Sequence, residues 1–140
     1  GQILEQESKN GLTDITIYRD FQARAESVKN TLISFLIEQR KRGKSVAAYG
    51  AAAKGNTILN YAGIRPDLLP YVCDAAPSKQ GKYMPGSHIP ILSPEVLKDQ
   101  KPDYILILPW NIAPEVMDAN SFVRGWGAKF VIAVPELRVV

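Results

Sequence analysis

The chain has 140 residues, of which 46% are hydrophobic, and this is enough for one domain with a sizeable core. Its 17 basic and 14 acidic residues are scattered along the sequence, so the formal charge of +3 gives no support for nucleic-acid binding. The apolar runs are too short to span a bilayer and no signal-peptide pattern opens the chain, which predicts a cytoplasmic protein without membrane contact. With Cys73 and His88 as the only cysteine and histidine, neither an internal disulfide nor a metal site is expected.

A long helix is the first predicted element. Residues 1–13 are polar and lack a sustained hydrophobic period, which is typical of a linker, and the missing initial Met indicates a piece of a longer protein. From about Asp14 to Arg42 apolar residues recur every three or four positions, on one face of a helix: Tyr18, Phe21, Ala25, Val28, Leu32 and Phe35. Gly43 is the predicted C-cap. We expect this face to pack on the domain's own sheet, with docking onto another domain or a second copy as the alternative.

After residue 43, short apolar runs alternate with helical segments, which predicts parallel βαβ units. The predicted strands cover 46–49, 71–73, 104–108 and 130–134, and the predicted helices cover 56–62, 93–100 and 113–124. A further edge strand is predicted at 89–91, because proline is tolerated only at a sheet edge. Right-handed crossovers then give a Rossmann-like α/β domain over residues 14–140, with about five strands in the order 3-2-1-4-5 and helices on both faces.

The strongest candidate site is the loop after the first strand, where the predicted strand order reverses. Gly50 and Gly55 allow a tight turn and a close ligand approach, and the N–H groups of the following helix favour an anion such as a diphosphate. The loop departs from the dinucleotide fingerprint because Ala52 replaces its second glycine. It departs from a Walker A loop because Asn56 replaces the phosphate-binding lysine. A tight turn that binds no ligand is the alternative.

Other candidates follow the remaining strands. Asp74 lies where dinucleotide folds hold a ribose, or else it caps a turn. Lys79, on the next loop, is placed to reach a phosphate or is simply solvated. His88 is a candidate for catalysis or substrate binding, although no carboxylate partner is evident. Trp110 and Asn111 follow the strand at 104–108, where Asn111 is more simply the N-cap of the next helix.

Taken together, several motifs resemble the C-terminal domain of SAM-dependent sugar C-methyltransferases. The motifs are the stretch from Tyr49 to Thr57, Asn60-Tyr61, Asp74 with Pro77, Lys79 and Gly81, the stretch 84–91, and Pro109-Trp110-Asn111. The resemblance covers about residues 12–140. Single elements of it also resemble Rossmann domains of CoA-binding and redox-sensing proteins.

The resemblance implies a protein with a zinc-binding N-terminal domain, a central SAM-binding domain and this Rossmann-like domain, which together methylate a nucleotide-linked 4-keto deoxysugar. Zinc, SAM and the general base are then expected in the upstream domains, with no cofactor in this chain and no activity of this chain alone. What is left to this chain is nucleotide-sugar binding and contact with the upstream domain, and a homodimer is possible. The implied substrate-binding residues are Gly50, Ala51, Lys54, Gly55, Asn56, Thr57, Asp74, Lys79, His88, Trp110 and Asn111. A free-standing nucleotide- or CoA-binding regulatory module and a dimerisation domain are the alternatives.

Overall fold

The computed structural model describes the backbone of residues 2–140 and the side chains of residues 19, 20 and 22–140. Within these residues one sheet is formed by β1 Val46–Tyr49, β2 Val72–Cys73, β3 Ile91–Leu92, β4 Tyr104–Ile107, β5 Lys129–Ile132 and β6 Arg138–Val139. The helices are α1 Gln2–Lys41, α2 Ala53–Ala62, α3 Val96–Gln100 and α4 Ala113–Ala119, with 3-10 turns at Trp110–Ile112 and Ser121–Trp126. None of these helices has the length and apolar composition that crossing a bilayer requires.

The strand order is β3-β2-β1-β4-β5-β6. β1 pairs in parallel with β2 on one side and with β4 on the other, so the order reverses next to the carboxyl end of β1. The predicted order 3-2-1-4-5 is therefore confirmed. The antiparallel strand β6 was not predicted, because two exposed residues carry no hydrophobic period.

Helices cover both faces of the sheet, and each face has its own apolar core. On one face α1 and α2 bury Leu32, Leu36 and Leu59 against sheet residues such as Ala48 and Leu106. On the other face the core residues are Leu97, Val116, Val123, Ile105 and Phe130, with their neighbours. This arrangement leaves the carboxyl end of β1 between two well-packed layers.

The prediction that the apolar face of α1 packs on the sheet is confirmed for its C-terminal half. Leu32 is 1% exposed, and the ring of Phe35 meets the ring of Tyr104 edge to face, with centroids 5.2 Å apart. The side chains of Tyr18 and Phe21, also predicted for this face, lie outside the described residues. Gly43, which follows α1, has a φ of 73°, as the predicted C-cap requires.

Several predicted boundaries were wrong. α1 begins at Gln2 rather than near Asp14, because residues 2–13 contain good helix formers even without an apolar stripe. The helix predicted over 113–124 ends at Ala119, where buried Asn120 donates from Nδ2 to the Val116 carbonyl at 2.9 Å and a 3-10 turn follows. The helix predicted from residue 93 begins at Val96. The edge strand lies at Ile91–Leu92 instead of 89–91, since a proline has no N–H to donate to a ladder.

Candidate functional site

The chain turns sharply between β1 and α2 at residues 50–52, which we call the Gly50 loop. Gly50 has a φ of 92°, and a Cβ added to it would lie 2.5 Å from Cδ of Pro109. A Cβ on Gly55 would lie 2.5 Å from Cβ of Leu108. Both glycines therefore allow the loop and α2 to pack closely on the chain that follows β4. Packing within the domain explains why glycine is needed at both positions. The sequence pattern alone indicates a tight turn and the close approach of a ligand at these glycines.

On the β2 side, Asp74 holds the Gly50 loop in place. Its Oδ2 accepts a hydrogen bond from the Ala51 N–H at 2.7 Å, and its Oδ1 accepts one from the Ala76 N–H at 2.8 Å. Lys79 donates from Nζ to the Ala51 carbonyl at 3.1 Å, and the same nitrogen lies 3.9 Å from Asp74 Oδ2. The turn-capping alternative for Asp74 is thus what the structure shows. We call residues 74–80 the closed flank of the loop, because their polar groups bond to the loop and to one another.

On the β4 side, the polar groups at the start of α2 lack side-chain hydrogen-bond partners within the described residues. The residue before α2, Ala52, offers no side-chain acceptor, so the first-turn N–H groups of this helix are left to other partners. Exposed Lys54 lies in that turn, with Nζ 6.0 Å from the ring centroid of Trp110. The Oδ1 of Asn56 is buried and has no hydrogen-bond partner within the described residues. A bound group with donors would satisfy this oxygen.

A cavity of about 480 Å³ adjoins this side of the loop. It lies between α1, α2 and the segments that follow β4 and β5, and we call it the open flank. Its walls include Gln22, Lys29, Thr57, Tyr61, Trp110 and Pro135. Sequence reasoning missed Gln22 and Lys29, and placed Tyr61 only in a resemblance motif, because contact between two helices distant in sequence brings them together. Another cavity, of about 300 Å³ beside Ser45 and Pro102, lies at the amino ends of the strands, away from the loop.

Two other predicted site residues, Asn111 and His88, are exposed in turns outside the Gly50 loop. Asn111 is exposed within the turn Trp110–Ile112, and α4 begins after Ile112 without a side-chain cap. The capping prediction for Asn111 was wrong, because a 3-10 turn intervenes between strand and helix. His88 is exposed, and its turn is anchored to the C-terminal half of α2 by Asn60, whose Nδ2 donates to the Pro85 carbonyl at 2.9 Å. The structure therefore does not bring His88 together with Lys54, which lies about two helical turns away along α2.

The remaining candidate nucleophile is the thiol of Cys73, which is fully buried at the end of β2. Burial raises the pKa of this thiol to about 12, so the thiol stays protonated at neutral pH. Burial and the neighbouring Cys73 also raise the pKa of Tyr71 to about 12. Neither group can act as a base or nucleophile under ordinary conditions.

A mostly parallel sheet with helices on both faces and its switch point at the end of β1 defines a Rossmann-like α/β fold. The UDP-D-quinovosamine 4-dehydrogenase from Vibrio fischeri shares this fold: the TM-score is 0.52 at 16% identity, over 69% of this chain and 93% of that one.

The sequence model of the C-methyltransferase C-terminal domain matches residues 1–135, and the chain belongs to this family. It is also 37% identical over 139 residues to the C-methyltransferase NovU from Streptomyces niveus. This alignment covers 99% of the chain and 33% of NovU, so the chain spans about a third of that relative's length. The family resemblance inferred from the sequence motifs is confirmed.

Proposed function

We propose that this chain is the nucleotide-sugar-binding domain of a sugar C-methyltransferase and that it holds the diphosphate of its substrate at the start of α2. The observation that carries the proposal is the uncapped N-terminus of this ten-residue helix, with the Lys54 ammonium in its first turn. Helix N-termini with free N–H groups favour bound phosphate. Family membership supports the methyltransferase part of the proposal.

Each group has a distinct role in this proposal. The first-turn N–H groups of α2 bind phosphate oxygens, and Lys54 offsets their negative charge. Asp74 and Lys79 fix the shape of the loop through Ala51 rather than contacting the ligand. The domain then holds a keto deoxysugar for methylation, while SAM, zinc and the general base belong to an upstream part of the same polypeptide. In this scheme the chain positions the substrate and takes no part in methyl transfer.

Calorimetric titration of the chain with thymidine diphosphate and uridine diphosphate tests the proposal. Lys54→Ala should weaken binding by about 1–3 kcal/mol, the scale of a charge-assisted hydrogen bond, and Asn56→Ala should weaken it less. Lys44→Ala is the matched control, because this exposed lysine lies at the opposite end of β1. SAM should not bind. Equal affinities in the wild type and Lys54→Ala, or binding of SAM without binding of either nucleotide, would contradict the proposal.

A further inference from the structure

The open flank is large for a domain of this size. It opens to solvent, and its volume of about 480 Å³ falls within the range of sites that bind small molecules. The apolar side of α1 is covered to different extents along its length. Leu32 and Leu36 are buried in the core, but one and two turns earlier Val28 and Ala25 are only partly covered and line the cavity.

The walls combine apolar surface with two aromatic rings. Tyr61 is 45% exposed although it lies on the inner side of α2 beside α1, and Trp110 is half-buried. Each ring has a cation nearby: Lys29 Nζ lies 5.2 Å from the Tyr61 centroid, and Lys54 Nζ lies 6.0 Å from the Trp110 centroid. Flat apolar rings beside positive charge suit a ligand that is both aromatic and anionic.

Besides the cations Arg24 and Lys29, uncharged polar groups line this space, and they suit the edge of a heterocycle. Gln22 donates from Nε2 to the Tyr61 hydroxyl at 3.2 Å, which leaves its amide oxygen as an acceptor and the tyrosine hydroxyl as a donor. Thr57 Oγ1 donates to the Ala53 carbonyl at 3.0 Å and retains acceptor capacity. A nucleobase needs two or three partners along one edge, and these groups can supply them.

The cavity is continuous with the proposed diphosphate site. Thr57 lies one helical turn beyond Lys54, a rise of about 5 Å. Trp110 is shared by the open flank and the proposed diphosphate site, since it lines the cavity and lies beside the Lys54 ammonium. A nucleotide held by its phosphates at the start of α2 can therefore extend into the open flank. On the other side, the closed flank fills the equivalent path with its own hydrogen bonds.

We propose that the open flank binds the nucleobase of the substrate, between the Tyr61 and Trp110 rings. This inference rests on the proposed function, because the diphosphate site at α2 supplies the anchor for the rest of the nucleotide. The base therefore lies on the β4 side of the loop, opposite to the Asp74 side where dinucleotide folds hold a ribose.

The test uses the fluorescence of Trp110 in a Trp126→Phe background, since Trp126 donates from Nε1 to the Pro102 carbonyl near the amino end of β4 and does not line the open flank. Thymidine, thymidine diphosphate, inorganic pyrophosphate and a free 6-deoxyhexose are titrated separately. Thymidine diphosphate should quench Trp110 and bind at least tenfold more tightly than pyrophosphate. Ala25→Phe, which fills the cavity, should remove most of that difference and leave pyrophosphate affinity unchanged. Ala119→Phe, at an exposed site on α4, is the matched control.

Tyr61→Ala removes one wall without filling the cavity and should weaken nucleotide binding about tenfold, the scale of a lost base-stacking contact. If Ala25→Phe and Tyr61→Ala bind thymidine diphosphate like the wild type while Lys54→Ala does not, the base lies elsewhere and only the diphosphate proposal stands. If pyrophosphate does not bind and Lys54→Ala binds thymidine diphosphate like the wild type, the diphosphate site of the proposed function fails. Thymidine then tests the base site separately: quenching that Tyr61→Ala abolishes supports it, and no quenching overturns it. Quenching by the deoxyhexose but not by thymidine also overturns it.

Discussion

On the β2 side of the Gly50 loop the polar groups bond to one another, whereas on the β4 side apolar and aromatic surface surrounds an open cavity. The closed flank contains the acid and the lysine that a sequence search selects for ligand contact, Asp74 and Lys79, yet both bond to Ala51 of the loop. The open flank is formed by residues such as Gln22 and Tyr61, which carry no motif by themselves. A charged residue at the end of a strand is thus no guide to ligand contact until its own hydrogen bonds are known.

The largest expected effect concerns α1, which forms the outer wall of the open flank. Leu32→Ala should lower the free energy of unfolding by about 2–5 kcal/mol, because this fully buried side chain leaves a cavity between α1 and the sheet. Urea unfolding at two protein concentrations measures the change. Thr31→Ala, at the exposed neighbouring position, should change stability by no more than about 0.5 kcal/mol.

The alternative for this helix is that its apolar face joins two copies or two domains. In that case Leu32→Ala would reduce concentration-dependent association and leave the unfolding midpoint nearly unchanged. Such a result would mean that α1 does not pack on the core, and α1 would then not form a wall of the open flank. The equivalent substitution at Phe21 tests the segment whose side chains lie outside the described residues.

The next effect compares the two flanks directly. Asp74→Ala should lower the free energy of unfolding by about 2–3 kcal/mol, because the N–H groups of Ala51 and Ala76 lose a charged acceptor. Thr57→Ala on the open flank should stay within about 0.5 kcal/mol, since its hydroxyl bonds only to a carbonyl of its own helix. Chemical unfolding of both variants measures the contrast. Equal losses in the two variants would mean that the flanks do not differ as the hydrogen bonds indicate.

The strand order could be predicted because it depends on short-range signals. Buried parallel strands such as 104–107 are continuous apolar runs, and the handedness of crossovers then leaves few arrangements. The Gly50 loop could be located for the same reason, because a glycine directly follows the apolar run of the first strand. What glycine does there could not be predicted, because the close approach to Pro109 is a tertiary contact.

The open flank could not be predicted at all. It depends on where α1 leaves the sheet and on the contact between Gln22 and Tyr61, which are 39 residues apart in the sequence. The stripe on α1 has the same spacing at Ala25 and Val28 as at Leu32, yet the first two line a cavity and the third is in the core. Hydrophobic periodicity shows which side of a helix faces inward, and says nothing about what that side meets.

The smallest effect tests the burial of Cys73, the residue that precedes the closed flank. Its carbonyl accepts a hydrogen bond from the Gly50 N–H at 2.7 Å. The pKa of the Cys73 thiol is raised from 9.0 to about 12 in the folded chain, so its contribution to stability is complete below pH 9 and is lost as the pH rises toward 12. Between pH 8 and pH 10 the free energy of unfolding should therefore fall by about 1.4 kcal/mol from this group. Urea unfolding of Cys73→Ala at the same two pH values should lack that part of the decrease, whatever its absolute stability. Tyr71, whose ordinary pKa is 10.0, adds little in this interval. Equal decreases in both proteins would mean that solvent reaches the thiol in the folded chain and that the core around it is not closed.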